Sequence, residues 1–290
     1  MQTDVGAGKS VLKAGLKAGL KAATAVGGVT LGLGAGYGIA VVRVRIQSAL
    51  FPKFWAESAR TQLELDDSLQ ELPPLTVNVL GDSAASGVGA SKPERAYVGL
   101  LKQRLEEETG RRVSVTNISV PGASSWLLME KQLPLLDDLP QADITMCVIG
   151  ANDLIDPAYT LEGFEWTATR LYKRLPAGTV VSTIPSFGLP WLEPKVRAAN
   201  AIIEREARLY NLELADLFST THELGLWRYL LYTGGDIFHP SERGYVAWAS
   251  ALWPAVRRAA KRALAQEARE TEKSQEAPAP SPSAKASSQD

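Results

Sequence analysis

From Leu75 onward, short β-branched apolar runs alternate with longer stretches of helical periodicity. The runs are Leu75 to Leu80, Val113 to Ile118, Ile144 to Ile149, Val180 to Ile184 and Leu212 to Leu217. Strands separated by crossover-length helical segments predict an α/β domain, a parallel sheet covered by helices on both faces. Ligands of such sheets bind at the carboxyl ends of the strands. The residues that follow each run are therefore where chemistry is to be sought.

Upstream the pattern changes. Residues Ala22 to Val42 are uncharged and rich in Ala, Val and Gly. At about 1.5 Å per helical residue they are long enough to cross a hydrocarbon layer of roughly 30 Å. We expect residues 22–42 to be a membrane anchor, with a glycine-rich linker as the competing reading. Gly28, Gly32 and Gly36 repeat a small-xxx-small spacing that suits self-association of membrane helices. Residues 1–21 form a basic segment in which Lys13, Lys17 and Lys21 recur every four residues on one helical face. The lysines upstream slightly outweigh Arg43, Arg45 and Lys53 downstream, so a cytoplasmic N-terminus is favoured. Arg43 and Arg45 stand where a cleaved signal peptide would end in small residues, which argues for an uncleaved anchor. Residues 43–74 read as a connector containing a helix and ending at Pro73-Pro74, and residues 75–264 as the ordered domain. Residues 265–290 turn to Glu, Lys, Ser, Ala and Pro, a composition expected to be a disordered tail.

Composition narrows the function. A formal net charge of -1 offers no broad electropositive surface for nucleic acid. The single cysteine, Cys147, excludes an intrachain disulfide or a cysteine-based metal site and reads as a buried apolar residue. Gly8-Lys9-Ser10 ends like a phosphate-binding loop, but the first glycine of that pattern would fall on Thr3.

The strand ends supply a consistent set of groups. The first run leads into Gly81-Asp82-Ser83, the second into Pro121-Gly122-Ala123, and the third into Gly150-Ala151-Asn152-Asp153. A serine on a strand-to-helix turn has its hydroxyl in the crevice and its amide at a helix start, as an acyl-transfer nucleophile needs. A serine nucleophile needs a base, and the chain has only two histidines, His222 and His239. His239 follows Asp236 by three residues, so one carboxylate can orient its ring, whereas His222 has no such partner. The backbone amides of Ser83 and Gly122 and the side-chain amide of Asn152 are the candidate oxyanion donors. Asp82 and Asp153 are expected to hold the loops by hydrogen bonds. Trp126, Leu154, Phe187 and Trp191 follow strands and are candidates for shaping an acyl pocket.

With these residues assembled, the chain resembles the SGNH hydrolases, the group that includes the GDSL esterases and lipases. Its four blocks are matched in order by Gly81-Asp82-Ser83, Gly122, Gly150-Ala151-Asn152-Asp153 and Asp236-Ile237-Phe238-His239. Ala84 stands where GDSL members carry leucine. The segment Phe238-His239-Pro240-Ser241 with Gly244-Tyr245 is similar to a bacterial branch that has an N-terminal membrane stretch. The resemblance implies a three-layer α/β/α sandwich on a five-stranded parallel sheet of flavodoxin-like order. It also implies a serine carboxylester hydrolase with a Ser83, Asp236 and His239 triad, acting on a small-molecule or lipid ester without metal or organic cofactor. An acyltransferase or deacetylase of cell-envelope glycolipid or sugar esters, and a catalytically silent membrane scaffold, are the alternatives.

Overall fold

The structure is a computed structural model that describes residues 36–62, 64, 72–225, 227 and 231–276. Residues 36–62 form helix α1. Beyond it the chain runs β1 (Leu75–Gly81), α2 (Ser83–Ser86), α3 (Tyr97–Thr109), β2 (Val113–Asn117), α4 (Ser125–Lys131), α5 (Leu133–Asp138) and β3 (Ile144–Val148). It continues through α6 (Ala151–Ile155), α7 (Leu161–Arg174), β4 (Val180–Ser182), α8 (Glu193–Leu209), β5 (Glu213–Ala215), α9 (Leu217–His222) and α10 (Glu242–Glu276). All five expected strands are present and parallel, in the order β2-β1-β3-β4-β5.

Strand alternation divides the core into two layers. Leu75, Val77, Val79, Met146 and Val148 face Tyr97, Leu101, Tyr245, Trp248 and Leu252 of α3 and α10, with Trp55 of α1 in the same layer. Their neighbours Leu80, Cys147 and Ile149 face Leu128, Leu133, Phe164, Leu171, Val196 and Ile203 on the other side. Each fully buried aliphatic side chain of this kind contributes about 1.5–3 kcal/mol. Both faces of the sheet are thereby covered, which is why its strands read as nearly continuous apolar runs.

The strand order reverses direction between β1 and β3, so their following loops part and leave a crevice. Register places Gly81 beside Val148, and the segments that follow carry Ser83 and Asn152.

Two regions add to the sequence-based expectation. Residues 43–62 continue α1, and that helix packs on the catalytic domain through buried Gln47 and Trp55. At the other end α10 runs to Glu276, through a stretch expected to be a tail. Residues 261–276 contain neither Gly nor Pro and are rich in Lys, Arg, Ala, Gln and Glu, which favour helix. Glu267 from this extension binds the mostly buried guanidinium of Arg111 at 2.5 Å. Residues 22–35 of the expected anchor, with Gly28 and Gly32, lie outside the described residues, as do residues 277–290. Gly36 opens α1 with no neighbouring atom within 4 Å of where a Cβ would stand. Among the described residues no helix is long and apolar enough to cross a membrane. The outward face of α1 is nonetheless apolar over its first turns, where Tyr37, Ile39, Val42, Ile46 and Leu50 are exposed.

Candidate active site

The turn that carries Ser83 is built by close packing. A Cβ on Gly81, whose φ is +155°, would stand 2.7 Å from both Ala85 Cβ and the Val148 carbonyl oxygen, so only glycine lets β1 pass directly into α2. The buried side chain of Gln132 accepts from the Gly81 N–H at 2.9 Å and donates to the Gly81 carbonyl at 2.8 Å. Asp82 caps α2, its Oδ1 accepting from the Ala84 N–H at 2.9 Å. Ser83 is thereby held as the first residue of the helix.

His239 reaches this serine from the far end of the sequence. Its Nε2 lies 2.9 Å from Ser83 Oγ, and its Nδ1 lies 2.5 Å from Asp236 Oδ2. The other carboxylate oxygen of Asp236 accepts from the backbone N–H groups of Phe238 at 3.3 Å and His239 at 3.1 Å. That turn forces Ile237 to φ +64°, a left-handed conformation that costs a β-branched residue about 1–3 kcal/mol. The side chain of Ile237 is accordingly turned out and exposed. Phe238 packs edge-on to His239 and stacks with Phe187, fixing the imidazole from the side.

The three expected oxyanion donors also lie on the strand-end loops. Asn152 lies in the first turn of α6, and its Nδ2 donates to the Ala123 carbonyl at 2.9 Å and to Asp82 Oδ2 at 3.3 Å. Gly122 sits at φ +81° in the turn after β2. Among the described residues neither the Ser83 nor the Gly122 backbone N–H has an acceptor. Asp153 accepts from both the backbone and hydroxyl of Ser125, at 2.9 and 3.1 Å, and ties the third loop to the second.

Electrostatics separate the three aspartates. Burial pulls the Asp236 carboxyl up, but the hydrogen bond and charge of His239 and the two backbone donors outweigh it, leaving it below the usual carboxylate range. It is ionised at neutral pH, as the partner of an imidazolium must be. Burial dominates at Asp82 and raises it to about 6, against the opposing pull of the Ala84 N–H and of His239. Burial also raises Asp153, despite its bonds from Ser125. The thiol of Cys147 is pushed by burial up to about 12, so it is unreactive.

His222 lies elsewhere. It stacks on Phe218 and faces Glu193 at 3.5 Å. Ser186 Oγ donates to Glu193 at 2.7 Å while standing 3.5 Å from His222, so this serine is not activated by the ring. Of the expected pocket residues, Leu154 and Phe187 are core, whereas Trp191 is exposed and Trp126 pairs with Trp166 at the surface. Gln132 and Gln47 were not anticipated.

A sequence profile described as the GDSL-like Lipase/Acylhydrolase family matches residues 79–247. A GDSL-like esterase of Mycobacterium tuberculosis is 28% identical over 194 residues, which cover 62% of this chain and 60% of that protein. Similar solved structures include TesA, with a TM-score of 0.54 at 20% identity over 63% of this chain and 99% of that one. Axe2, an acetyl xylan esterase from Geobacillus stearothermophilus, gives a TM-score of 0.52 at 18% identity, covering 63% of this chain and 94% of that one. LAE5, an α/β hydrolase enzyme from the metagenome of Lake Arreo, gives 0.51 at 20% identity, covering 62% and 94%. At these identities the structural likeness bears on the fold alone.

Proposed function

This chain belongs to the GDSL-like lipase/acylhydrolase family, a family of ester hydrolases, and from that premise we propose that it cleaves carboxylic esters through an acyl-enzyme on Ser83. The observation that carries the reading is the unbroken relay from Ser83 Oγ to His239 Nε2 at 2.9 Å and from His239 Nδ1 to Asp236 at 2.5 Å. His239 takes the hydroxyl proton as Ser83 Oγ attacks the ester carbonyl carbon. The oxyanion is met by the amides of Ser83 and Gly122, and by Asn152 once it exchanges one of its present acceptors for the substrate. Loss of one such donor costs about 100- to 1000-fold in rate. His239 then delivers its proton to the leaving alcohol. Water repeats the sequence, with His239 as base, and frees the carboxylic acid and Ser83.

The test is hydrolysis of p-nitrophenyl acetate, butyrate and longer esters, with labelling by a fluorophosphonate that titrates the reactive serine. The wild-type chain is expected to hydrolyse and label, and Ser83→Ala to do neither. A wild-type rate no higher than that of Ser83→Ala would remove the hydrolase reading.

A membrane tether belongs to the same proposal. The exposed residues Ile39, Val42, Ile46 and Leu50 form a stripe that continues an uncharged, apolar stretch of sequence toward the N-terminus, flanked by the exposed Arg43 and Arg45 and followed along the helix by Lys53, Glu57 and Arg60. Such a face suits the apolar edge of a bilayer, with the cytoplasmic side favoured for the N-terminus. Full-length protein is expected to stay in the membrane pellet through alkaline carbonate, and its release would count against the tether.

A further inference from the structure

Helix α1 lies outside the region matched by the family profile, yet three of its side chains reach the loop that joins the nucleophile helix to α3. Trp55 Nε1 donates to the Ser86 carbonyl at 3.0 Å. Gln47, which is buried, accepts from the Gly89 N–H at 3.0 Å and donates to the Ala90 carbonyl at 2.7 Å. Arg43 adds a bond to the same carbonyl at 3.2 Å.

The far side of that loop touches the catalytic histidine. A Cβ on Gly89 would collide with the Pro240 carbonyl oxygen and stand 3.1 Å from His239 Cβ. The Gly89 backbone is therefore a wall against which His239 and Pro240 rest. The loop offers its own polar groups outward to α1, and Gln47 satisfies a donor and an acceptor with one planar amide. Another contact links the helix to the turn bearing Asp236, because a Cβ on Gly235 would stand 3.0 Å from Ala40 Cβ.

We infer that Gln47 is a positioning residue for His239, acting through Gly89 and Ala90, and that α1 is a working part of the active site rather than a spacer. The inference rests on the serine hydrolase reading. An amide at position 47 fixes the loop to within hydrogen-bond tolerance, and the loop in turn limits how far His239 can swing from Ser83 Oγ. A base displaced by about 1 Å can cost about 100-fold in rate.

The deciding experiment uses the full chain and counts active sites with a fluorophosphonate, so that misfolded molecules do not enter the rate. Gln47→Met keeps the side-chain length and removes both hydrogen bonds. It is expected to lower kcat per titrated site about 10- to 100-fold and to slow fluorophosphonate labelling in parallel, with KM within about twofold of wild type. Gln47→Glu keeps the acceptor for Gly89 and sets a carboxylate against the Ala90 carbonyl. It is expected to lower kcat per site as well, and it decides the question if Gln47→Met does not fold. A purely structural role would reduce the number of titrated sites and leave kcat per site and KM unchanged, and that result in the folded variant would overturn the proposal. A wild-type chain that neither labels nor hydrolyses the esters would instead overturn the hydrolase reading on which it rests.

Discussion

Asp82 is buried beside Ser83, and its raised carboxyl has a consequence for stability. Between about pH 4 and 6 the native protein holds a proton here that the unfolded chain has released, so stability falls as pH rises through that window. The difference between about 6 and the ordinary value of 3.8 corresponds to at most about 3 kcal/mol. Asp82→Asn keeps an acceptor for the Ala84 N–H but removes the ionisation. Denaturant titrations at pH 4 and pH 7 are expected to show the wild type losing ground to Asp82→Asn by an amount of that order, over any pH-independent offset. Asp236 has the opposite sign: its depressed carboxyl favours the native state above the ordinary carboxylate range, and that support is lost as pH falls. Asp236→Asn is expected to retain the turn yet lower kcat by about 1000- to 10,000-fold, because the amide no longer selects the productive imidazole tautomer. A pre-steady-state assay on the titrated enzyme checks it. These residues were legible in the sequence because the chain has two histidines and only one follows an aspartate by three positions. Gln132 and Gln47 were not legible as site residues, since their partners lie 51 and about 42 positions away and no local pattern announces them.

At the scale of elements, the parallel strands were readable because both faces of the sheet are buried and each strand is an apolar run. The full extents of the two long helices were not. The exposed turns of α1 carry Ile39, Val42, Ile46 and Leu50, so its pattern merges with the apolar stretch before it and hides the inward-facing Gln47 and Trp55. The last turns of α10 contact the domain through Glu267, a residue whose composition-level reading is that of a solvated tail. Ending the chain after Leu264 removes that partner and leaves the Arg111 guanidinium, mostly buried, with the Pro73 carbonyl on its Nε as its one remaining partner among the described residues. The truncation is expected to cost about 1–3 kcal/mol, read from urea unfolding, with kcat per site unchanged. Gly81→Ala acts on an element junction instead. Its Cβ meets Ala85 and the Val148 backbone at 2.7 Å, so the start of α2 must move. Measured by fluorophosphonate labelling, this variant is expected to lose reactivity at least as severely as it loses stability.

For the whole molecule, the defining contact is between positions far apart in the chain. Ser83 and His239 are separated by 156 residues, and the sheet is complete at Ala215 before the histidine is reached. Bringing such distant positions together incurs loop-closure entropy that nearer pairs avoid, so long-range contacts slow folding. On the proposed mechanism, a chain emerging from the ribosome carries Ser83 without its base until the last quarter of its sequence has docked. In refolding from denaturant, recovery of esterase activity is expected to trail the far-ultraviolet signal of the sheet and helices, and coincident recovery would show that the ends assemble with the centre. If Ser83 and His239 act as proposed, chemistry in this molecule is a readout of completed folding, a built-in checkpoint that follows from where two side chains lie along one polymer.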